Sequence, residues 1–181
     1  MSEHPAPAPL TARATQIVEE ARALLEEEGR DALTLRALAA RLGIRAPSLY
    51  KHIPDKAALE VALIEQGLAG LGTALRAAME DPDPFAAVLR TYRRYALTNP
   101  NLYRLATAGP LPRERLARDL EDWSGEPFFS LTGDPERAQA LWAYAHGMVI
   151  LEIDGRFPPG SDLDRTWQEG SAVFRGGDGG P

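Results

Sequence analysis

Cysteine is absent from the 181 residues of the chain. The sequence therefore excludes disulfide bonds and metal sites built on thiolate ligands. Apolar runs are also short, and none approaches the roughly 20 residues that a membrane-spanning helix needs. The N-terminal segment, 1–9, is rich in proline and alanine and lacks the charged-then-apolar order of a signal peptide. Together these absences favour a cytoplasmic protein.

Strand signals are also scarce, because β-branched residues are sparse and apolar and polar residues do not alternate. Hydrophobic residues nevertheless make up 44% of the chain, enough for a sizeable core. They recur at helical spacing, as in the first such stripe: Ala14, Ile17, Val18, Ala21, Leu24 and Leu25. Glycine and proline divide the chain into about nine such segments. We therefore predict an all-α fold.

Proline positions predict two interruptions in the C-terminal two thirds. Asn99-Pro100 is expected to separate two helices. The segment Ser124-Gly125-Glu126-Pro127 is expected to break or kink a helix that begins near Arg113.

The last predicted helix, 162–174, carries one stripe made of Leu163, Trp167, Gly170 and Phe174. Trp167 and Phe174 could pack inside one protomer. A stripe followed by a glycine-rich tail has little left in its own chain to bury against, however, so a partner subunit is the natural candidate. We therefore expect a homodimer joined by this helix and the helix over 138–154.

The net charge of −6 argues by itself against nucleic-acid binding. Between residues 30 and 56, however, six basic residues face only two acidic ones, Asp31 and Asp55, a local difference of +4; the six are Arg30, Arg36, Arg41, Arg45, Lys51 and Lys56. Attraction to phosphate acts locally and fades over about 10 Å at ordinary salt. A basic segment on an acidic protein is thus compatible with DNA binding, although a solvated charged face is the alternative.

The same segment has the pattern of a helix-turn-helix. Thr34 can cap a helix over 35–42 that buries one face, Gly43 permits a sharp turn, and a short helix over 46–52 follows. Ile44 and Leu49 are expected to hold the short helix on the preceding ones. Its remaining face is short, polar and basic, and fits a DNA major groove.

This stretch resembles the DNA-binding domain of the tetracycline-repressor (TetR) family. The family pattern ends in Leu-Tyr-x-His-Phe with a lysine after it, and here Leu49-Tyr50-Lys51-His52-Ile53 is followed by Lys56. Ile53 in place of phenylalanine keeps an apolar plug. The resemblance covers about residues 11–63.

A second resemblance lies in the C-terminal half. Trp142-x-x-x-His146-Gly147, together with Asn99-Pro-Asn-Leu-Tyr-Arg104, is similar to a TetR subgroup with a Trp-x-x-x-His-Gly regulatory domain. The subgroup implies a four-helix bundle formed by the last two long helices and their symmetry mates. It also implies a pocket for a small inducer among the middle helices.

The resemblance implies a ligand-responsive repressor that binds an inverted-repeat operator as a homodimer and is released by a small apolar effector. The expected domains are a DNA-binding domain over 10–56 and a ligand-binding and dimerisation domain over 57–175, with disordered tails at 1–9 and 176–181. No cofactor, membrane partner or enzymatic activity is expected. A helical enzyme and a protein-binding adaptor without DNA binding are the alternatives, although no nucleophile–base pair, phosphate loop or metal cluster supports an enzyme.

Ten residues are candidates for DNA contact: Thr34, Arg36, Arg45, Ala46, Pro47, Ser48, Tyr50, Lys51, His52 and Lys56. The resemblance gives Tyr50, His52 and Lys56 phosphate contacts, whereas Arg36 and Arg45 could grip a base edge. A core role for Tyr50, a structural hydrogen bond for His52 and simple solvation of the arginines are the alternatives.

Six residues are candidates for effector contact: Tyr92, Tyr95, Tyr103, Trp123, Trp142 and His146. Aromatic residues of this kind are more often plain core. His146 could equally be a buried histidine bonded to a neighbouring helix. A metal site there is not expected, because no second histidine is near in sequence.

Overall fold

The computed structural model describes residues 5 and 9–175 of the chain. In this part the chain forms nine α-helices, one 3-10 turn and no strand, which confirms the predicted all-α fold. The helices are α1 (Ala12–Glu28), α2 (Leu35–Arg41), α3 (Ala46–Tyr50), α4 (Lys56–Ala78), α5 (Pro84–Thr98), α6 (Pro100–Thr107), α7 (Leu120–Thr132), α8 (Pro135–Ile153) and α9 (Leu163–Arg175). Apart from Pro5 and Pro9, the two tails predicted to be disordered lie outside the described residues.

The chain packs into two compact units. The first holds Met1–Gly70 and Asn99–Trp123, and the second holds Leu71–Thr98 and Ser124–Pro181. Helices α4 and α7 contribute residues to both units. The predicted boundary between a DNA-binding and a regulatory domain, at residue 56, concerns function and stays a prediction.

The core of the first unit is built around α1. The hydroxyl of Thr11 caps this helix by accepting from the backbone N–H of Ala14 at 3.2 Å. All six apolar residues of the predicted stripe are buried. They pack with leucines from α2, α3, α4 and α6, among them Leu38, Leu49, Leu59 and Leu102. Helix α6 is therefore part of the same core as the helix-turn-helix, although α6 begins about 40 residues after the start of α4.

In the second unit α8 packs against both α5 and α9. Leu141 and Val149 of α8 are fully buried, as is Val88 of α5. Tyr92 of α5 meets Phe128 of α7 edge to face, with ring centroids 5.5 Å apart. Aromatic packing thus fixes part of this core.

The segment from Arg113 to Thr132 differs from its prediction. A 3-10 turn occupies Arg113–Arg115, and α7 begins only at Leu120 and then continues through Pro127. A proline inside a helix lacks the N–H that its turn needs, at a cost of about 3 kcal/mol. Pro127 and Phe128 are both buried, and burial of these apolar side chains offsets much of that cost. The helix is therefore not broken at Pro127, and the predicted helix start near Arg113 was wrong, whereas a kink at Pro127 stays a prediction.

Trp167 packs inside its own chain, which is the first of the two alternatives that the sequence left open. Trp167 is 6% exposed, and its ring meets that of Tyr144 edge-on at 5.7 Å. The guanidinium of Arg93 lies 5.7 Å from the Trp167 ring centroid. Phe174 is half-buried, with its ring 5.9 Å from Tyr144.

Helix α9 approaches Tyr144 most closely at Gly170. A Cβ at that position would lie 2.5 Å from the hydroxyl oxygen of Tyr144. The hydroxyl donates to the carbonyl of Trp167 at 3.0 Å. A side chain at residue 170 would therefore require the phenol ring of Tyr144 to shift.

By length and composition alone α4 could cross a membrane, since an 18-residue window has a mean hydropathy of 1.2. No run of this kind was expected from the sequence. Three leucines of α4, Leu59, Leu63 and Leu75, are fully buried inside the protein, and 39% of the window is buried. A single helix of this composition is weak evidence for a membrane span.

Candidate nucleic-acid interface

Local hydrogen bonds and one buried leucine set the geometry of the helix pair α2–α3. The hydroxyl of Thr34 caps α2 by accepting from the backbone N–H of Ala37 at 3.1 Å. Gly43 follows at a φ of 64°, and the N–H of Ile44 returns to the carbonyl of Ala39 at 3.0 Å. Leu49 is fully buried and holds α3 on the core. The turn and the anchor together leave the other side of α3 facing solvent.

Nine of the ten residues predicted to contact DNA are exposed, and the tenth, Ala46, is half-buried. Tyr50 is 51% exposed, which excludes the alternative of a core aromatic. Pro47 stands in the first turn of α3, where a missing N–H costs nothing. The structure thus brings Arg45, Pro47, Ser48, Tyr50 and Lys51 to the surface around one short helix.

Three of the six basic residues counted from the sequence are ion-paired with carboxylates, and two of the three share a single one. Arg41 forms ion pairs with Glu20 and, at 2.6 Å, with Glu27; these hydrogen bonds raise the pKa of the guanidinium. Arg30 binds both carboxylate oxygens of Glu60 at 3.2 Å, which raises the pKa of Arg30.

Lys56 is the third of these residues. Its ammonium lies 3.9 Å from Glu60 and 3.5 Å from the carbonyl of Arg30. Arg36, Arg45 and Lys51 have no ion-pair partner among the described residues. Among these six residues, the positive charge without an ion-pair partner therefore lies on α2 and on the two residues that flank α3.

The six residues predicted to contact an effector fall into different units. Tyr103 and Trp123 belong to the first unit, whereas Tyr92, Tyr95, Trp142 and His146 belong to the second. Tyr92, Tyr103 and Trp123 are buried, and Tyr95 is half-buried.

Trp142 and His146 are more accessible than the buried aromatics. Trp142 is 46% exposed and stacks on the half-buried imidazole of His146, with ring centroids 5.8 Å apart. Partial burial lowers the pKa of His146, because desolvation disfavours the charged imidazolium. His146 therefore favours its neutral form near neutral pH.

An open polar hollow of about 360 Å³ lies in the loop before α7 and its first turn. Its wall is dominated by charged side chains, and Arg113 is paired across it with Glu121 at 2.6 Å. This segment was not expected to form a site; its density of charged residues was the available signal in the sequence. The lining residues are Arg113, Glu114, Leu116, Ala117, Arg118, Asp119, Glu121 and Asp122. Within the described part of the chain, no group of three or more His, Asp or Glu side chains is placed to hold a metal ion.

Two family models match the chain. The one described as bacterial regulatory proteins of the tetR family matches residues 17–63, and the one described as a tetracyclin repressor-like C-terminal domain matches residues 85–174. A helix-turn-helix transcriptional regulator of Mycobacterium tuberculosis, Rv0681, is 31% identical over an alignment 155 positions long, and the match covers 77% of this chain and 69% of that protein.

Solved structures share the fold. A protein of unknown function from Rhodococcus sp. RHA1 has a TM-score of 0.79 at 25% identity, with 93% of this chain and 96% of that one covered. A TetR variant from Acinetobacter baumannii AYE, solved in complex with minocycline, has a TM-score of 0.63 at 24% identity, with 92% and 95% covered.

The all-α fold and the exposed helix pair define a helix-turn-helix transcriptional regulator. The chain belongs to the TetR family, as the two family models and the mycobacterial relative show. Regulators of this family bind DNA operators, dimerise and bind small-molecule effectors. Membership in the Trp-x-x-x-His-Gly subgroup stays a prediction.

Proposed function

We propose that the protein is a repressor that binds an inverted-repeat operator as a homodimer and is released by a small, largely apolar effector. The observation that carries this proposal is the uncompensated charge of Arg36, Arg45 and Lys51 on the exposed surface of α2 and α3. Basic side chains with no carboxylate partner remain free to bind phosphate or base edges. We place the protein in the cytoplasm, where it meets DNA.

The ten candidate residues divide by the kind of contact they make. Tyr50, Lys51, His52 and Lys56 bind phosphates. The Thr34 hydroxyl accepts the capping N–H and keeps its own hydrogen to donate to a phosphate. The remaining residues approach base edges and the thymine methyl group: Arg36, Arg45, Ala46, Pro47 and Ser48.

The dimer interface is proposed to lie on α8 and α9. Trp142 and Leu151 of α8 are 46% and 43% exposed, and Val173 of α9 is 75% exposed. Gly147 lies between the first two on α8, and a Cβ there would meet no atom within 4 Å. A glycine within a helix lowers the stability of the helix. Close approach by α8 of a second copy would explain why glycine stands at residue 147. An obligate interface of this kind buries roughly 2,000 Å² or more.

The effector site is proposed to use residues from the predicted set of six. Tyr92, Tyr103 and Trp123 are buried, so contact with an effector requires that it enter the helical core. Trp142 and His146 also suit the proposed dimer interface because they are more exposed. The minocycline complex of the Acinetobacter regulator supports effector binding by this fold. Effector and operator must weaken each other's binding by the same factor.

The test is a gel-shift titration against an operator selected from random DNA, repeated over a range of salt concentrations. Wild-type protein should bind selectively, with affinity falling steeply as salt rises. Lys51→Ala should reduce the logarithmic salt slope by about 1, because one phosphate contact is lost. Arg113→Ala is the control, since its charge is already paired with Glu121 at 2.6 Å and it lies outside α2 and α3. A helical enzyme or adaptor would show no tight, sequence-selective binding, and that result would contradict the proposal.

A further inference from the structure

The Asn99-Pro100-Asn101-Leu102 segment at the start of α6 is hydrogen-bonded to α1. The carboxylate of Glu26 accepts the backbone N–H of Asn101 at 3.1 Å and that of Leu102 at 2.8 Å. The side-chain amide of Asn101 donates to the carbonyl of Glu26 at 3.1 Å. One turn earlier on α1, Arg22 donates to the side-chain oxygen of Asn99 at 2.7 Å. We name these four hydrogen bonds the α1–α6 clamp.

The clamp satisfies the backbone donors that the first turn of α6 leaves open. The first N–H groups of a helix have no partner within it. Here Pro100 has no N–H, and the N–H of Tyr103 already bonds to the carbonyl of Asn99 at 2.9 Å. The side chain of Asn99 makes no cap hydrogen bond. The two remaining donors, on Asn101 and Leu102, are therefore both held by a carboxylate from another helix.

Packing places this polar contact beside the core of the first unit. Glu26 and Asn101 are half-buried, and Leu102 is fully buried against residues of α1 and α4. A charged acceptor in a partly desolvated setting makes stronger hydrogen bonds than a solvated one. The hydrogen bonds from Glu26 therefore fix the orientation of the first turn of α6 against α1, in addition to the packing of Leu102.

Helix α1 in turn positions α2. Buried residues of both helices share one core, and Arg41 of α2 is paired with Glu20 and Glu27 of α1. A shift of α1 must therefore shift the helix pair that faces DNA. The chain enters the first unit at Asn99, directly after α5 ends at Thr98.

We propose that Glu26 is a positioning residue: through the α1–α6 clamp it sets the orientation of α2–α3 within the first unit. This inference rests on the proposed function. It assigns a role to the Asn-Pro-Asn motif, and the role does not require contact between Glu26 and DNA or effector.

The test measures half-site spacing selectivity. The probes are the selected inverted repeat and two derivatives whose half-sites are one and two base pairs further apart. Glu26→Ala should lose at least about fivefold of the wild-type preference for the selected spacing, the lower end of a typical coupling. Glu26→Gln keeps one acceptor oxygen and should lose less. Glu28→Ala removes the same charge from an exposed site on α1 and should keep the full preference.

Two further measurements separate orientation from simple loss of folding. Affinity for random DNA should match among all folded variants, since partial unfolding would lower binding to every probe alike. Hydrogen exchange at the amides of Asn101 and Leu102 should accelerate in folded Glu26→Gln. Unchanged spacing preference in Glu26→Gln and Glu26→Ala, with those amides exposed, would overturn the inference. If wild-type protein selects no operator at all, the proposed function fails first and the inference falls with it.

Discussion

The indole N–H of Trp167 donates to Oε2 of Glu152 at 3.1 Å, joining α9 to α8 inside one protomer. The same carboxylate binds Arg93 of α5 at 2.5 Å, and the side chain of Glu152 is only 9% exposed. Arg93 also pairs with Asp164 at 2.6 Å. Three helices of the second unit therefore meet at one nearly buried carboxylate.

Replacement of Trp167 by phenylalanine should destabilise the fold without dissociating a dimer. The change keeps an aromatic ring but removes one hydrogen bond to a charged acceptor, worth about 1.5–3 kcal/mol. Urea unfolding should show the loss as a lower midpoint, and sedimentation should show an unchanged mass. A monomeric Trp167→Phe protein would place this residue at the subunit interface after all.

Dimerisation should depend on exposed apolar residues of α8 and α9. A carboxylate buried in an interface loses its hydration without gaining a partner, so Trp142→Glu and Val173→Glu should give monomers. Light scattering coupled to size-exclusion chromatography measures the mass directly. Leu97→Glu, at a 40% exposed leucine of α5, is the matched control and should remain dimeric. Dimers that survive both α8 and α9 substitutions would move the interface elsewhere.

Substitutions on the helix pair α2–α3 should distinguish residues that set DNA affinity from residues that set sequence preference. Tyr50→Phe removes a phosphate contact and should weaken binding to all sequences alike. Arg36→Ala and Arg45→Ala should each relax preference at one base pair by about 1–3 kcal/mol if the contact is bidentate. Binding to a panel of single-base operator variants provides both measurements. A changed base preference in Tyr50→Phe would contradict these roles.

His146 should make stability depend on pH. Burial lowers its pKa in the folded protein below the ordinary value of 6.5, so the unfolded chain binds a proton more readily. The free energy of unfolding therefore keeps its full value above pH 6.5, where His146 is neutral in both states. It decreases as pH falls from 6.5 through the lowered pKa of the folded protein. Urea unfolding from about pH 7 down to pH 5 should therefore show a shallower dependence in His146→Gln than in wild type. His52→Gln, at an exposed histidine, is the control; identical slopes in wild type and His146→Gln would contradict the assignment.

The sequence predicted features encoded by neighbouring residues. The Thr34 cap, the turn at Gly43 and the buried Leu49 all lie within one short segment, and the structure has each as expected. The interruption at Asn99-Pro100 is likewise local.

Contacts between distant residues could not be read from the pattern. The carboxylates that pair with Arg30 and Arg41 lie 14 to 30 residues away in the sequence. The hydrogen bonds from Asn101 and Leu102 to Glu26 span 75 and 76 residues. The burial of Trp167 depends on Tyr144, which belongs to a different helix. The helix through Pro127 was missed for a similar reason, because tertiary burial outweighs the local penalty.

The close approach of Tyr144 to Gly170 makes these two positions genetically dependent. A side chain at residue 170 must displace a phenol ring that is held by its hydrogen bond to Trp167. Gly170→Ala should therefore lower the midpoint of urea unfolding. Tyr144→Ser also loses packing against Trp167, and the cost of the double variant should be less than the sum of the two single costs. Tolerance of a side chain at residue 170 thus depends on the residue at 144, so the order in which the two change along a lineage matters.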